Sequence, residues 1–230
     1  MLLPALAKAK LAAKGTQCRS NLHQWVVAFT MYTMDNKERY PTGWMPNQPN
    51  SVWMGACQPY YQNTNICLCP LAIHFRSDLP PGGGTGQQFD ANLDTTFYSW
   101  GKMGINGYPV EVWGNTNEQG SYEFNGNLYG LKTTTIGGSL QFTPVFGDGM
   151  WDGTTPTAVD LAPIAKGVQN GNGLCEFALV RHGGRNPEYM SYLDSSVRPT
   201  GLKQLWVLHW SPTWVPSPPA KWPKWMANYN

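Results

Sequence analysis

The first 36 residues contain a regular apolar stripe that predicts one long helix. Its members are Leu11, Cys18, Leu22, Trp25, Phe29 and Tyr32. Successive members are separated by seven, four, three, four and three residues, and these spacings place them on one side of an α-helix. We therefore expect this side of the helix to pack against the rest of the chain.

The predicted helix has a clear end and an unusual beginning. Asp35 and Asn36, followed by Pro41, are typical of a helix stop. The first six residues are apolar, and no Ser, Thr or Asp caps them. The sequence thus predicts an N-terminal helix over residues 1–36 and a head domain over residues 37–230.

The amino-acid composition limits which binding partners and which cellular compartment are expected for this protein. Charged residues make up only 13% of the chain, against roughly 25% in average soluble proteins. The formal net charge is +2, and the basic residues outside the helix are dispersed, which argues against a nucleic-acid partner. The 25 Gly and 19 Pro, together with 11 Trp and 11 Tyr, indicate a loop-rich, uncharged polar surface typical of extracellular proteins.

The head domain contains several short segments with the alternation of strands. These runs cover residues 96–100, 120–126 and 140–146. Residues 174–182 and 188–194 flank Gly183-Gly184 and predict a hairpin, while residues 201–208 predict a short helix. We expect an α+β fold in which the long helix packs on an antiparallel sheet, with long loops and a Pro/Trp-rich C-terminal tail that wraps around the body.

The five cysteines are consistent with an oxidising compartment, and their odd number leaves at least one without an intrachain bridge. Our preferred disulfide joins the Cys67/Cys69 region, with Cys69 as the candidate, to Cys175. A loop of that length stabilises by roughly 4 to 5 kcal/mol in the chain-entropy model. The alternatives are a buried thiol for Cys18 and half of a zinc site for the Cys67/Cys69 pair, although no second pair of ligands stands nearby.

Acidic residues around glycines offer a candidate cation site. Asp148, Asp152 and Asp160 lie at short spacing, and carboxylates in such loops can bind calcium with help from backbone carbonyls. The run lacks the D-x-D-x-D-G pattern of a dedicated calcium loop, so ordinary Asp-Gly turns are the alternative. Calcium is the one cofactor that the sequence suggests.

His182 and Asp194 are the best candidates for acid-base chemistry, as a base and its orienting carboxylate. However, the sequence contains neither a Gly-x-Ser-x-Gly elbow nor a cysteine in an electropositive motif. A structural imidazole that bonds the Asp194 turn is the favoured alternative. We therefore assign no catalytic residue and expect that the protein is not an enzyme.

Both ends of the chain resemble one family. The N-terminal segment LLPALAKAK, followed by CRSNLHQWVVAFTMYTMDNKERYP, resembles the region after the membrane-spanning part of proteins with a prepilin-type cleavage/methylation domain. These are the type IV pilins and type II secretion pseudopilins. The C-terminal run LVRHGGRNPEYMSYLDSSVRPTGLKQLWVLHW is similar to the ending of a large pilin-like family. It departs from that family where Asn-Pro-Glu-Tyr-Met replaces the more usual Asn-hydrophobic-Phe pattern.

This resemblance implies a structural subunit of an extracellular pilus-like filament or a secretion pseudopilus. The expected partners are identical subunits, with membrane or secretion machinery acting on an inner-membrane precursor before polymerisation. In the family an apolar segment of about twenty residues precedes this point and serves as anchor and filament core. The resemblance also supports calcium, which related pseudopilins hold in a C-terminal loop. The alternatives are a non-polymerising, cell-surface carbohydrate-binding or adhesive module, which the many tryptophans would suit, and a hydrolase centred on His182 and Asp194.

Overall fold

A computed structural model gives the protein an α+β architecture with one long helix and a five-stranded sheet. It describes residues 2–42, 53–72, 98–99, 119–136, 140–149, 153–165, 173–177, 180–182 and 188–230. The helices are α1 (Leu2–Asp35), α2 (Trp53–Cys57) and α3 (Gly173–Phe177). The strands are β1 (Tyr98–Ser99), β2 (Gln119–Gly120), β3 (Tyr122–Asn125), β4 (Pro144–Asp148), β5 (Gly153–Thr154), β6 (Glu188–Tyr192) and β7 (Val197–Thr200).

Helix α1 has 34 residues and is about 51 Å long. It ends because Lys37 and Glu38 both adopt left-handed backbone conformations, with φ of 58° and 61°. The backbone N–H of Glu38 then donates to the carbonyl of Thr33 at 2.8 Å. The chain turns away from the helix axis at this point, close to the stop that Asp35 and Asn36 predict.

The main sheet is mixed, which corrects the expectation of a purely antiparallel one. Its strand order is β5-β3-β4-β6-β7, and β3 pairs parallel with β5 while the other neighbours are antiparallel. Because β4 runs opposite to β3 and β5 runs opposite to β4, β5 is parallel to β3 and lies on its far side from β4, with Phe124 opposite Gly153. Strands β1 and β2 form a separate antiparallel pair.

Two local predictions differ from the structure. Residues 173–177 form helix α3 rather than a strand, so β6 pairs with β4 and β7 instead of with the preceding segment. The helix begins where the carboxylate of Asp160 accepts from the N–H of Leu174 at 2.9 Å, a long-range cap that sequence spacing does not reveal. Residues 140–142 form a helical turn, and the strand starts only at Pro144. The predicted Gly183-Gly184 turn lies outside the described residues.

Two hydrophobic clusters lie on opposite faces of the sheet. Helix α1 packs on one face, where Phe29 stacks on Phe124 with ring centroids 5.2 Å apart. Met190 and Tyr192 of β6 belong to the second cluster, together with tail residues that include Trp206 and Trp210. Because alternate residues of a strand point to opposite faces, one sheet supports both clusters.

The C-terminal tail is anchored to the body by its tryptophans. The indole N–H of Trp206 donates to the carbonyl of Asp160 at 2.7 Å, and that of Trp225 donates to the carbonyl of Pro163 at 2.8 Å. The backbone N–H of Lys203 also donates to the carbonyl of Asn230 at 2.7 Å. The indole N–H groups of Trp206 and Trp225 thus keep hydrogen-bond partners while both residues pack against the second hydrophobic cluster.

Candidate functional site

Four buried side chains from distant parts of the chain meet beneath helix α1. They are Cys18 on α1, Cys69 in the loop after the Thr64–Cys67 turn, Asp148 at the end of β4, and His182 ahead of β6. One sulfur, nitrogen or oxygen atom of each lies within 4.8 Å of the corresponding atoms of the others. Among the described residues, this is the one group of three or more such side chains with metal-ligand spacing. We call it the Cys-Cys-Asp-His cluster.

The carboxylate of Asp148 is the hub of the cluster. Its Oδ2 atom lies 3.0 Å from His182 Nε2 and accepts from the Cys18 thiol at 3.6 Å. The same His182 nitrogen lies 3.4 Å from Cys69 Sγ. The donor atoms therefore converge on one small volume rather than forming a linear chain.

Arg181 holds the other oxygen of this carboxylate. Its Nη1 donates to Asp148 Oδ1 at 3.2 Å and to the carbonyl of Ser121 at 2.9 Å, and its Nη2 donates to the carbonyl of Gly149 at 3.0 Å. The side chains of Arg181 and Asp148 are 1% and 0% exposed. A buried guanidinium with several acceptors fixes the plane of the carboxylate and directs Oδ2 at the cluster.

Hydrogen bonds around the cluster also fix both cysteines. The hydroxyl of Tyr122 donates to Cys18 Sγ at 3.3 Å, and Ser121 Oγ accepts from the backbone N–H of Cys69 at 2.6 Å. The side-chain amide of Asn21, one turn beyond Cys18, donates to the carbonyl of Leu68 at 2.9 Å. Helix α1 and the cysteine loop are thereby held in register.

Charges within the cluster determine the protonation of its members. Burial lowers the pKa of His182, but the charge and hydrogen bond of Asp148, together with those of Cys69, more than offset this and raise it to about 9. Burial raises the pKa of Asp148, while the positive charges of His182 and Arg181 bring it below its ordinary value. Burial also raises the pKa of Cys69, but hydrogen bonds from Cys18 and His182 lower it to about 7.

The pKa of Cys18 shifts in the opposite direction to that of Cys69, because Cys18 donates the hydrogen bond between the two thiols. Burial, and then the hydrogen bond to Cys69, raise the pKa of the Cys18 thiol well above its ordinary value. The cluster is thus suited to hold a Cys69 thiolate beside a His182 imidazolium, with Cys18 as a neutral thiol. Glu188 at the start of β6 is buried too, and burial raises the pKa of its carboxyl well above the ordinary value.

The geometry does not suit nucleophilic catalysis. In a catalytic triad the imidazole uses one ring nitrogen for the nucleophile and the other for the orienting carboxylate. Here the Nε2 atom of His182 faces both Cys69 and Asp148. Both cysteines are also 0% to 1% exposed, so their sulfurs do not face bulk solvent.

The carboxylates of the predicted calcium set have separate roles. Asp148 belongs to the Cys-Cys-Asp-His cluster, whereas Asp160 accepts from the N–H groups of Thr157 and Leu174 at 3.1 and 2.9 Å. Asp152 lies outside the described residues. In the part of the chain that the structure describes, Asp148 and Asp160 therefore do not share a site, because each is already directed at its own protein partners.

The structure does not bring together the two candidate disulfide cysteines. Cys69 has Cys18 and His182 as neighbours, while the thiol of Cys175 on α3 donates to the carbonyl of Leu161 at 3.2 Å. The expected disulfide between Cys69 and Cys175 is therefore not formed, and the cysteine that lies next to Cys69 is Cys18. The reason is that α1 crosses directly over the loop that carries Cys69.

Most of the apolar stripe of α1 lies against the head domain. Cys18, Leu22, Trp25 and Phe29 are between 0% and 3% exposed, and Tyr32 is half-buried against Tyr60. Leu11 departs from this pattern, since it is 39% exposed. The packed part of the helix thus begins after Leu11.

His182 and Asp194 do not form the predicted pair. The carboxylate of Asp194 accepts from the backbone N–H and the hydroxyl of Ser196 at 3.0 and 2.6 Å, within its own turn. His182 pairs with Asp148 instead. Each member of the cluster is separately a candidate residue in the sequence, but no spacing in the chain indicates that Cys18, Cys69, Asp148 and His182 meet.

Comparisons with known proteins give no identification. No protein-family model, curated protein or solved structure matches this chain. Among the described residues, no helix combines the length and the apolarity needed to cross a membrane.

Proposed function

We propose that this chain is a pilin-like or pseudopilin-like structural subunit that assembles through helix α1. The observation that supports this proposal most directly is the exposure of the helix before its packed part. All residues from 3 to 13 are exposed, including Leu3 at 80% and Leu6 at 66%. This segment corresponds to about 16 Å of helix without cover from the chain's own described residues. Exposed apolar side chains on a rigid helix are typical of a protein-protein contact surface.

The packed part of α1 also has an apolar outer side. Val27, Met31 and Met34 follow one another by four and three residues and are 57%, 46% and 76% exposed. They lie off the buried stripe, so one helix presents apolar surface to the head domain and to its surroundings. This arrangement suits a helical filament, in which different faces of each subunit contact successive neighbours.

In this proposal the partners are identical subunits, and the filament or pseudopilus is extracellular. Lys8, Lys10 and Lys14 lie on the exposed or half-exposed part of α1. They suit contact with anionic lipid headgroups or assembly machinery before polymerisation. Burial of apolar helix surface between subunits drives the assembly, and the head domains cover the outside.

The proposal is tested by electron microscopy of cells that produce the protein and of the material sheared from them. We expect filaments that contain the wild-type chain, and we expect Leu3→Glu/Leu6→Glu to abolish them because assembly would bury two charges. Val215→Glu is the matched control, since Val215 is 74% exposed on the tail and far from α1 in sequence. A wild-type protein that remains monomeric at high concentration and forms no filaments would contradict the proposal.

One observation favours the alternative, a non-polymerising carbohydrate-binding module. A cavity of about 460 Å³ lies beside β6 and β7 and combines Phe142 and Tyr192 with polar Arg198, Gln204 and His209. Phe142 is 46% exposed, so its ring is available for stacking on a sugar. Retention of the wild-type monomer on a polysaccharide column, with loss of retention for Phe142→Ala, would support this function.

A further inference from the structure

The Cys-Cys-Asp-His cluster offers the donor set of a transition-metal site. It contains two sulfurs, one imidazole nitrogen and one carboxylate oxygen, all of them buried. Thiolate and imidazole are the ligands that zinc prefers in proteins, whereas calcium takes oxygen ligands in larger number. The chemistry of the donors therefore favours zinc over the calcium expected from the aspartates alone.

The spacing of the donor atoms agrees with tetrahedral coordination. With zinc about 2.3 Å from sulfur and about 2.0–2.2 Å from nitrogen or oxygen, tetrahedral angles separate the ligand atoms by about 3.3–3.8 Å. In the structure, His182 Nε2 lies 3.0 Å from Asp148 Oδ2 and 3.4 Å from Cys69 Sγ, and Cys18 Sγ lies 3.6 Å from Asp148 Oδ2. Every other pair of donor atoms lies within 4.8 Å, so one ion at their centre brings the donors to coordination distance by side-chain adjustment.

We propose that Cys18, Cys69, Asp148 and His182 bind one zinc ion as a structural site. Four protein ligands complete a tetrahedral shell, which is typical of structural rather than catalytic zinc. On binding, Cys18 loses its thiol proton and His182 loses the proton on Nε2, and both protons pass to solvent, so that two thiolates and a neutral imidazole coordinate the ion. The sulfur-zinc, nitrogen-zinc and oxygen-zinc bonds then replace the direct hydrogen bonds within the cluster.

The surroundings of the cluster suit this ion in charge and in orientation. Two thiolates and one carboxylate contribute three negative charges, which the zinc ion and the Arg181 guanidinium together balance. Arg181 also fixes Asp148, and Ser121 fixes the backbone of Cys69. Such outer hydrogen bonds orient metal ligands, and their loss commonly weakens metal binding.

The site would join four segments that are far apart in sequence. Its ligands come from α1, from the loop at residue 69, from the end of β4 and from the segment before β6. Because binding requires the folded arrangement, the binding free energy adds to the stability of the fold. The ion would thus fasten helix α1 to the head domain, and this role does not depend on whether the chain forms filaments.

The test uses the full chain, purified under reducing conditions, stripped with a chelator and titrated with cobalt(II) and zinc(II). We expect one equivalent of either metal, with cobalt producing the visible absorption bands of a tetrahedral thiolate site. Cys69→Ser and His182→Gln should each lower cobalt affinity at least about tenfold. Cys57→Ala is the matched control, because Cys57 is equally buried but lies outside the cluster, and it should bind like the wild type.

Native mass spectrometry of the wild-type chain provides a readout that does not depend on folded variants. We expect a folded species that contains one zinc ion, and loss of that ion together with a lower melting temperature after chelator treatment. A reduced, folded wild-type chain that takes up neither metal would overturn the proposal. The proposal would also be overturned if Cys18 and Cys69 formed a disulfide and the chain bound no metal after that disulfide was reduced. Equal cobalt affinities for Cys69→Ser and Cys57→Ala would overturn it as well.

Discussion

Asp148 links more of the buried polar groups than any other described carboxylate in the cluster region. One oxygen contacts His182 and Cys18, and the other accepts from Arg181. Removing one member of such a network leaves the remaining charged groups buried without a partner, and this destabilises the fold more than replacing the whole network with apolar residues would. The residues of the cluster therefore depend on one another for stability, whatever ion they hold.

Glu188 differs from Asp148 because it is a buried carboxyl group for which the folded state favours the neutral, protonated form. Its carboxyl oxygens have no hydrogen-bond partner among the residues that the structure describes. Burial raises its pKa well above the ordinary 4.5, so the folded state keeps a proton that the unfolded state releases. Its contribution to stability is complete below about pH 4.5 and is lost as the pH rises toward the folded-state pKa.

We predict that Glu188→Gln stabilises the protein at pH 7, because the amide avoids this titration. Above pH 4.5 the wild-type free energy of unfolding should fall, through this group alone, by up to about 1.4 kcal/mol per pH unit. Urea denaturation from pH 4.5 to 7 measures the difference between the two proteins. Glu38→Gln, at an exposed glutamate, is the control and should leave the pH profile unchanged. A difference that does not grow with pH would contradict the prediction.

At the scale of elements, helix α1 has two parts with different surroundings. The part from Cys18 onward packs on the sheet, and the part before Lys14 is exposed on all sides. Trp25 lies at the centre of the packed part, where its ring centroid is 4.9 Å from that of Trp53 and 4.7 Å from that of Tyr61. Its indole N–H donates to the carbonyl of Ile66 at 2.9 Å.

We predict that Trp25→Ala lowers the free energy of unfolding by about 3–5 kcal/mol, since it opens a large cavity and removes one buried hydrogen bond. Met34→Ala is the control on the same helix, because Met34 is 76% exposed, and it should change stability by less than about 0.5 kcal/mol. Equilibrium denaturation of both variants measures the difference. Equal effects would mean that α1 does not dock through this side.

The periodicity of α1 was predictable because it is local. Residues three and four positions apart share a helix side whatever the rest of the chain does, so the buried members of the stripe follow from spacing alone. The strand expected over residues 174–182 had no comparable local periodicity to support it, since a short apolar run fits a buried strand and a buried helix equally well. The Asp160 carboxylate, 14 positions before Leu174, decides that case in favour of α3.

At the scale of the whole molecule, the sheet is held between α1 and the C-terminal tail. Asn125 at the end of β3 joins the sheet to the tail, because its fully buried side-chain amide donates to the carbonyl of Pro144 at 2.8 Å and to that of Trp210 at 2.9 Å. One amide therefore connects two neighbouring strands with the tail that covers the second hydrophobic cluster. The tail is consequently part of the folded unit and not an appendage.

We predict that Asn125→Ala lowers the free energy of unfolding by about 2–4 kcal/mol, because two buried carbonyls lose their donor. Amide hydrogen exchange should accelerate in residues 203–210, where the tail loses its tie to the sheet, more than in β6. Asn65→Ala, at an exposed asparagine, serves as the control and should leave exchange in this segment unchanged. Uniform acceleration across the molecule would indicate general destabilisation and not a local connection.

The helix, its stop near residue 36, the α+β class and a tail anchored by tryptophans all follow from patterns within the sequence, because each depends on neighbours along the chain. The meeting of Cys18, Cys69, Asp148 and His182 does not, since 51, 79 and 34 positions separate these residues in turn. Their donor atoms converge only when α1 crosses the cysteine loop and β4 pairs with β6. Periodicity encodes which side of an element is buried, whereas only tertiary packing decides which buried side chains touch.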